Sequence, residues 1–187
     1  MKVKDTMYRL VDEYSLFYLT WIETNRTSGT DVWLRKSTSR NFDTWCGYAF
    51  EALCLRHILQ LKKALGIASV QTHEASWLFQ SKTSIDEGAQ IDLLIERADH
   101  CTNLCEMKYS MHPFKIDKQY AAKLERKLRV FREKTKTKNT LFLTLVTTFG
   151  IQSNDHSKRL VSSEIRLSQL MERDVLGDTR KRRDKPD

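Results

Sequence analysis

Glycine and proline are scarce in this chain, six and two among 187 residues, a composition that belongs to a folded protein and excludes a disordered one. No apolar stretch is long enough to cross a bilayer, and the opening MKVKDTMYRL has no signal-peptide core. A cytoplasmic location with no membrane partner is therefore the expectation. The four cysteines, Cys46, Cys54, Cys101 and Cys105, form neither a CxxC pair nor a zinc-ribbon spacing, so they read as reduced, mostly buried thiols. Nothing in their spacing supports an iron–sulfur cluster. The five histidines are scattered, without an HExxH pattern for a metal. No internal repeat is present, and no GxxxxGK(S/T) run that would cradle a nucleotide's phosphates.

What is abundant is charge. Thirty-two lysines and arginines against 24 acidic residues leave a formal net charge of +8 and a pI near 9.4. That balance suits a polyanionic partner, although a good part of the excess sits in the tail TRKRRDKPD, which reads as disordered. A chain of this length holds one main domain and an appendage. Residues 1–40 read as an N-terminal amphipathic helix and linker, 41–176 as the main domain and 177–187 as the basic tail.

The helix at 7–23, MYRLVDEYSLFYLTWIE, carries Leu10, Tyr14, Phe17, Tyr18, Trp21 and Ile22 at helical spacing, so a wide aromatic face must dock on the body or another chain. NRTSGT at 25–30 ends it, and a polar linker to about residue 41 holds Trp33 and Leu34 as isolated anchors. A long helix is expected from Phe42 to Ala64, closed by Gly66. On it Glu51 shares a face with Gly47, Cys54, Leu55 and Ile58. Two readings of Glu51 stand: a carboxylate at the rim of the face paired to a lysine, or one that meets a metal or donor. Strands follow at 75–80, 89–96 and 102–110, then a basic amphipathic helix from Ile116 to Lys134. Its buried face is Ile116, Tyr120, Ala121, Leu124, Leu128 and Phe131, with Lys118, Lys123, Arg126, Lys127, Arg129 and Arg132 mostly around the other side. TLFLTLVTTF at 140–149 reads as a fully buried strand, and RLVSSEIRL and SQLMERDVL as a short strand and a terminal helix.

The stretch AQIDLLIERADHCTNLCEMKYS at 89–110 places charges where a buried hairpin should be apolar. In a strand, residues i and i+2 share a face, so Glu106 and Lys108 project together. A hairpin centred near Asp99 sets Asp92 across from Glu106. Like charges opposite one another on a sheet repel. A divalent metal turns that repulsion into binding, because Mg²⁺ takes hard oxygen ligands, here the two carboxylates and the Met107 carbonyl.

Asp92, thirteen intervening residues and then Glu106-Met107-Lys108 resembles the D-(E/D)xK signature of the PD-(D/E)XK nuclease superfamily. Glu51 on the preceding helix is similar to that superfamily's helical acidic residue. The resemblance covers about residues 42–150 and implies a restriction-endonuclease-like αβββαβ core, an α/β fold with a mixed central sheet flanked by helices, plus the N-terminal helical extension. Ile91 stands where the eponymous proline would be, a common variation. YRLVDEYSLFYLTWIE, WCGYAFEALCLRHI, GAQIDLLIERAD and NLCEMKYS together resemble the C-terminal, DUF234-type region of bacterial and archaeal AAA-type ATPases. The ATP site of such proteins lies upstream, so this chain is expected to be a piece of a longer protein or one that has lost that part.

The resemblance implies Mg²⁺-dependent phosphodiester hydrolysis, with Mn²⁺ as substitute and nucleic acid, DNA first, as substrate. Asp92, Glu106 and the Met107 carbonyl would hold the metal, with Glu51 completing the shell directly or through water, and Lys108 would orient the nucleophile. Lys115, Lys118 and Lys123 are the candidates for phosphate contacts. Gln90 has two readings, a substrate contact or a polar strand end. A non-cleaving nucleic-acid-binding, regulatory or oligomerisation module of an ATPase is the alternative function, with an ATPase module or a second copy meeting residues 7–23.

Overall fold

The computed structural model describes residues 12–23, 31–81 and 88–172. The expectations for residues 7–11, the 25–30 break and the basic tail lie outside them. Five strands form one mixed sheet in the order β1 (Thr72–Phe79), β2 (Ala89–Arg97), β3 (Cys101–Lys108), β4 (Thr140–Thr147) and β5 (Ser163–Arg166). The first three run antiparallel, and β3, β4 and β5 run parallel. A parallel neighbour requires a crossover connection. The basic amphipathic helix α5 (Lys118–Thr135) provides it between β3 and β4, and α6 (Asp155–Leu160) between β4 and β5. With α3 (Arg40–Arg56) ahead of the sheet, the core has the αβββαβ order implied by the sequence.

Alternation sorts the strand residues into two layers. Leu93, Ile95, Cys105, Met107 and Val146 pack with Phe50 and Cys54 of α3, Leu61 of α4 (Ile58–Ala64) and Leu170 of α7 (Leu167–Leu170). Leu104, Leu143 and Leu145 turn the other way, toward Ala121, Leu124 and Phe131 of α5. Strand β4 has neighbours on both edges and helices on both faces, so its near-continuous apolar run is what its position demands. The Asp117 carboxylate accepts the Tyr120 N–H at 2.7 Å, capping α5 and fixing where its first turn starts.

Two expectations change. The single helix of 42–64 is broken at His57, whose φ of −105° and ψ of 32° leave the helical range, so α3 and α4 are separate pieces. Gly66, at φ +70°, does close α4. The supposed linker is partly helical: α2 (Val32–Ser37) carries Trp33 and Leu34, which are not isolated anchors.

The N-terminal pieces are α1 (Glu13–Phe17) and a π-helical turn, Tyr18–Ile22. Phe17 meets Trp33 and Trp45 edge-on, Trp21 meets Phe42 and Trp45 edge-on, and Phe42 stacks on Trp45. Edge-to-face pairs of this kind contribute about 0.5–1.5 kcal/mol each beyond area burial. Glu13 also pairs with Arg56 at the far end of α3. Phe17 and Trp21 of the expected aromatic face therefore dock on α2 and α3, while Tyr14 and Ile22 of that face stay exposed. Trp45→Ala removes three of these ring pairs, and we expect a loss of about 2 kcal/mol in urea unfolding; an unchanged midpoint would show that the rings do not carry the docking.

Candidate functional site

The β2–β3 ladder runs from Glu96↔Thr102 to Leu93↔Cys105, a register centred on Asp99. Continued, it would oppose Asp92 to Glu106 and Ile91 to Met107. It stops instead, although both strands go on. Residues Ala89–Ile91 stay with β1, while Glu106–Lys108 stay with β4, so the sheet forks between β2 and β3. Like charges at the next pair are a sufficient reason for the ladder to end there. A bulge accompanies the fork. On β1, Ala75 and Trp77 are two apart, but their partners Leu94 and Ile91 are three apart, so Asp92 and Leu93 together face Ser76. Such an extra residue re-aims a side chain. The Asp92 carboxylate accordingly accepts the Met107 N–H at 2.9 Å, a donor that an unbroken ladder would have given to Ile91. A strand residue directs its N–H and C=O to the same side, which turns the Met107 carbonyl toward the fork as well.

Glu106 lies on the α5 face of β3 and is 1% exposed. Burial, foremost, and then the Asp92 charge push its carboxyl above the usual range, and Lys127 and Lys108 oppose that rise. Lys127 Nζ donates to both Glu106 oxygens, at 2.6 and 2.7 Å. Lys108, two residues along the strand, holds its ammonium 5.7 Å from the centre of the Tyr120 ring, within cation–π range. That ring is fixed edge-on by Phe114 at 5.1 Å. The Tyr120 hydroxyl is buried and has no hydrogen-bond partner among the described residues. Burial and then the charges of Glu106 and Asp92 push it up.

Four of the expected residues thus gather at the fork: Asp92, Glu106, Met107 and Lys108. Glu51 is half-buried on α3, in the opposite layer. Glu51 and Asp92 both act on Cys54, whose thiol is pushed up to about 12 by burial first, then by their charges. Gln90 is exposed at the start of β2, and Lys115, Lys118 and Lys123 are exposed on α5 and the segment before it. Cys46, Cys54 and Cys105 are buried free thiols and Cys101 is partly exposed.

The largest departure from expectation is Lys127, assigned by the sequence to the solvated side of α5 but turned inward onto Glu106. Its spacing held the signal. Lys127 lies seven residues after Tyr120 and three after Leu124, on the same helix face as the core residues. A cation on that face needs a buried anion.

Among the described residues, no group of three or more His, Cys, Asp and Glu forms a ready metal cage. The donor chemistry at the fork nevertheless fits a hydrated Mg²⁺, which typically takes only one or two carboxylates and keeps several waters. Two carboxylates are present, and Glu106 is made hard to ionise partly by Asp92.

Holding charge on a buried carboxylate costs stability. Because the Glu106 pKa is raised, that cost is absent below the ordinary glutamate range, where the group is neutral in both states. It is complete above the raised value. We expect Glu106→Gln to melt about 2–4 °C higher than the parent near neutral pH, with the gap closing in acid. A lower melting temperature for the variant would mean that the Lys127 pair outweighs the burial cost.

No family model matches the chain, and no curated protein matches it. Among solved structures, this chain is similar to the crystal structure of AF1548, a protein of unknown function, with a TM-score of 0.41 and 13% identity. The match covers 60% of this chain and 56% of that one.

Proposed function

We propose that the chain is a PD-(D/E)XK-type nuclease domain that hydrolyses phosphodiesters of nucleic acid, DNA first, with Mg²⁺ or Mn²⁺, as the nuclease-like part of an ATPase-linked cytoplasmic protein. The observation that carries this reading is the forked sheet, with bulged Asp92 on one arm and Glu106-Met107-Lys108 on the other. A purely structural sheet gains nothing from two carboxylates placed so that their repulsion ends its ladder.

Asp92, Glu106 and the Met107 carbonyl would hold the metal, which when bound supplies a Lewis acid for the phosphate and a more acidic water. The chain's own residues do the rest. Lys108, steadied over the Tyr120 ring, orients the attacking water and offsets charge that develops on the phosphate. Asp92 keeps its orientation through the Met107 N–H. Glu51 adds negative charge from the α3 side. Exposed Lys115, Lys118 and Lys123 take backbone phosphates and set the register of the strand.

A second reading is favoured by one observation: both Glu106 oxygens are engaged by Lys127, as suits a non-cleaving module that binds nucleic acid or regulates an ATPase. The decisive experiment is cleavage of duplex, single-stranded and branched DNA in Mg²⁺, Mn²⁺ or EDTA. We expect slow cutting with metal and none in EDTA. Asp92→Asn and Lys108→Ala should each lower the rate about a hundredfold or more. Excess metal partly rescues the aspartate variant and not the lysine variant. Binding survives both changes and weakens steeply with salt. Salt-dependent binding without any metal-dependent cutting selects the non-cleaving module.

A further inference from the structure

The seat of Lys127 on Glu106 couples two things that the nuclease reading otherwise leaves separate. Both oxygens of the Glu106 carboxylate accept from one ammonium. A metal that takes Glu106 as a ligand must displace it. The lysine is the partner with a way out, since its side chain is 21% exposed and that of Glu106 is 2%. A lysine's long flexible stem lets the head swing to the surface while the stem stays packed.

Charge decides where it can go. Asp92, Glu106, Lys108 and Lys127 sum formally to zero, so a divalent cation arriving alone finds only the Glu51 charge on the α3 side in its favour and a competing ammonium against it. A nucleic-acid phosphate changes both conditions. It adds negative charge beside the fork, and it offers the displaced ammonium a new anion. Exposed Lys123, four residues before Lys127, is its neighbour on the helix surface, so a strand held by Lys123 passes within reach.

Resting on the nuclease reading, we propose that Lys127 is a displaceable internal cation that makes metal binding and nucleic-acid binding depend on each other. It covers Glu106 in the free protein and transfers to a backbone phosphate when metal and nucleic acid bind together. The metal site is thereby kept weak until substrate is present. By thermodynamic reciprocity, metal tightens nucleic-acid binding by the same factor.

The test is equilibrium binding of Mn²⁺ to the full chain, counted by the paramagnetic resonance of the free ion, with and without a short phosphorothioate-protected DNA duplex. DNA should raise the Mn²⁺ affinity of the parent protein about tenfold. Lys127→Met should bind Mn²⁺ about tenfold tighter without DNA and gain less than about twofold from adding it. Lys127→Gln, which still offers Glu106 an N–H but no charge, should behave likewise. It serves as the readout if the methionine variant fails to fold. Should the parent bind Mn²⁺ in an Asp92-dependent way with no help from DNA, or should neither variant bind it tighter, Lys127 is a fixed structural counter-ion and the inference is wrong while the nuclease reading stands. If the parent and both variants bind no Mn²⁺ that Asp92→Asn abolishes, the metal-dependent reading itself fails and takes the inference with it.

Discussion

A carboxylate buried between a sheet and a helix governs this structure. Glu106 is nearly sealed from water, and a lone charge in such a place is not tolerated without a partner. Lys127 meets it with both oxygens engaged. A buried pair of this kind adds little net stability compared with apolar packing, yet removing the lysine, which leaves the sealed Glu106 charge unpaired, is costly. The pair therefore acts on geometry. It ties the middle of α5 to the end of β3, and with the Asp117 cap it sets which face of the helix looks at the sheet. Tyr120 and Lys108 take their positions within that frame.

The second constraint is the repulsion between Asp92 and Glu106. Hydrogen-bonded strands place opposing side chains close together, and two carboxylates at one such pair oppose the ladder. The sheet yields by parting there and by carrying an extra residue on β2. The cost is one interrupted stretch of backbone pairing, and part of it is recovered when Asp92 accepts the Met107 N–H. The result is a fork in an otherwise continuous sheet, at the carboxyl end of β3, between the α5 layer and the α3 layer.

The basic helix serves two ends. Its inner face holds Ala121, Leu124 and Phe131 in the core together with the one inward ammonium described above. Its outer face exposes Lys118 and Lys123. Lys127, which reaches the fork, and the phosphate contacts proposed for Lys118 and Lys123 are thus carried by the same rigid element, so their spacing follows from helix geometry. The N-terminal pieces are attached separately, through the ring contacts of Phe17, Trp21, Trp33, Phe42 and Trp45 at the start of α3.

Much of the architecture was legible in the linear pattern, because periodicity reports which side of an element is buried. The three strands, the amphipathic helix and the apolar β4 run follow from it, and so does the hairpin register centred on Asp99. The pairing of Glu106 with Lys108 on one face was legible for the same reason. The break at His57 and the helix at Val32–Ser37 were not, since no glycine or proline marks the first and a short polar segment hides the second. The fork, the bulge and the inward turn of Lys127 were decided only by tertiary structure. Each arises from charges brought together by different elements, and a lysine's flexible stem lets its head point either way until the fold supplies the anion that settles it.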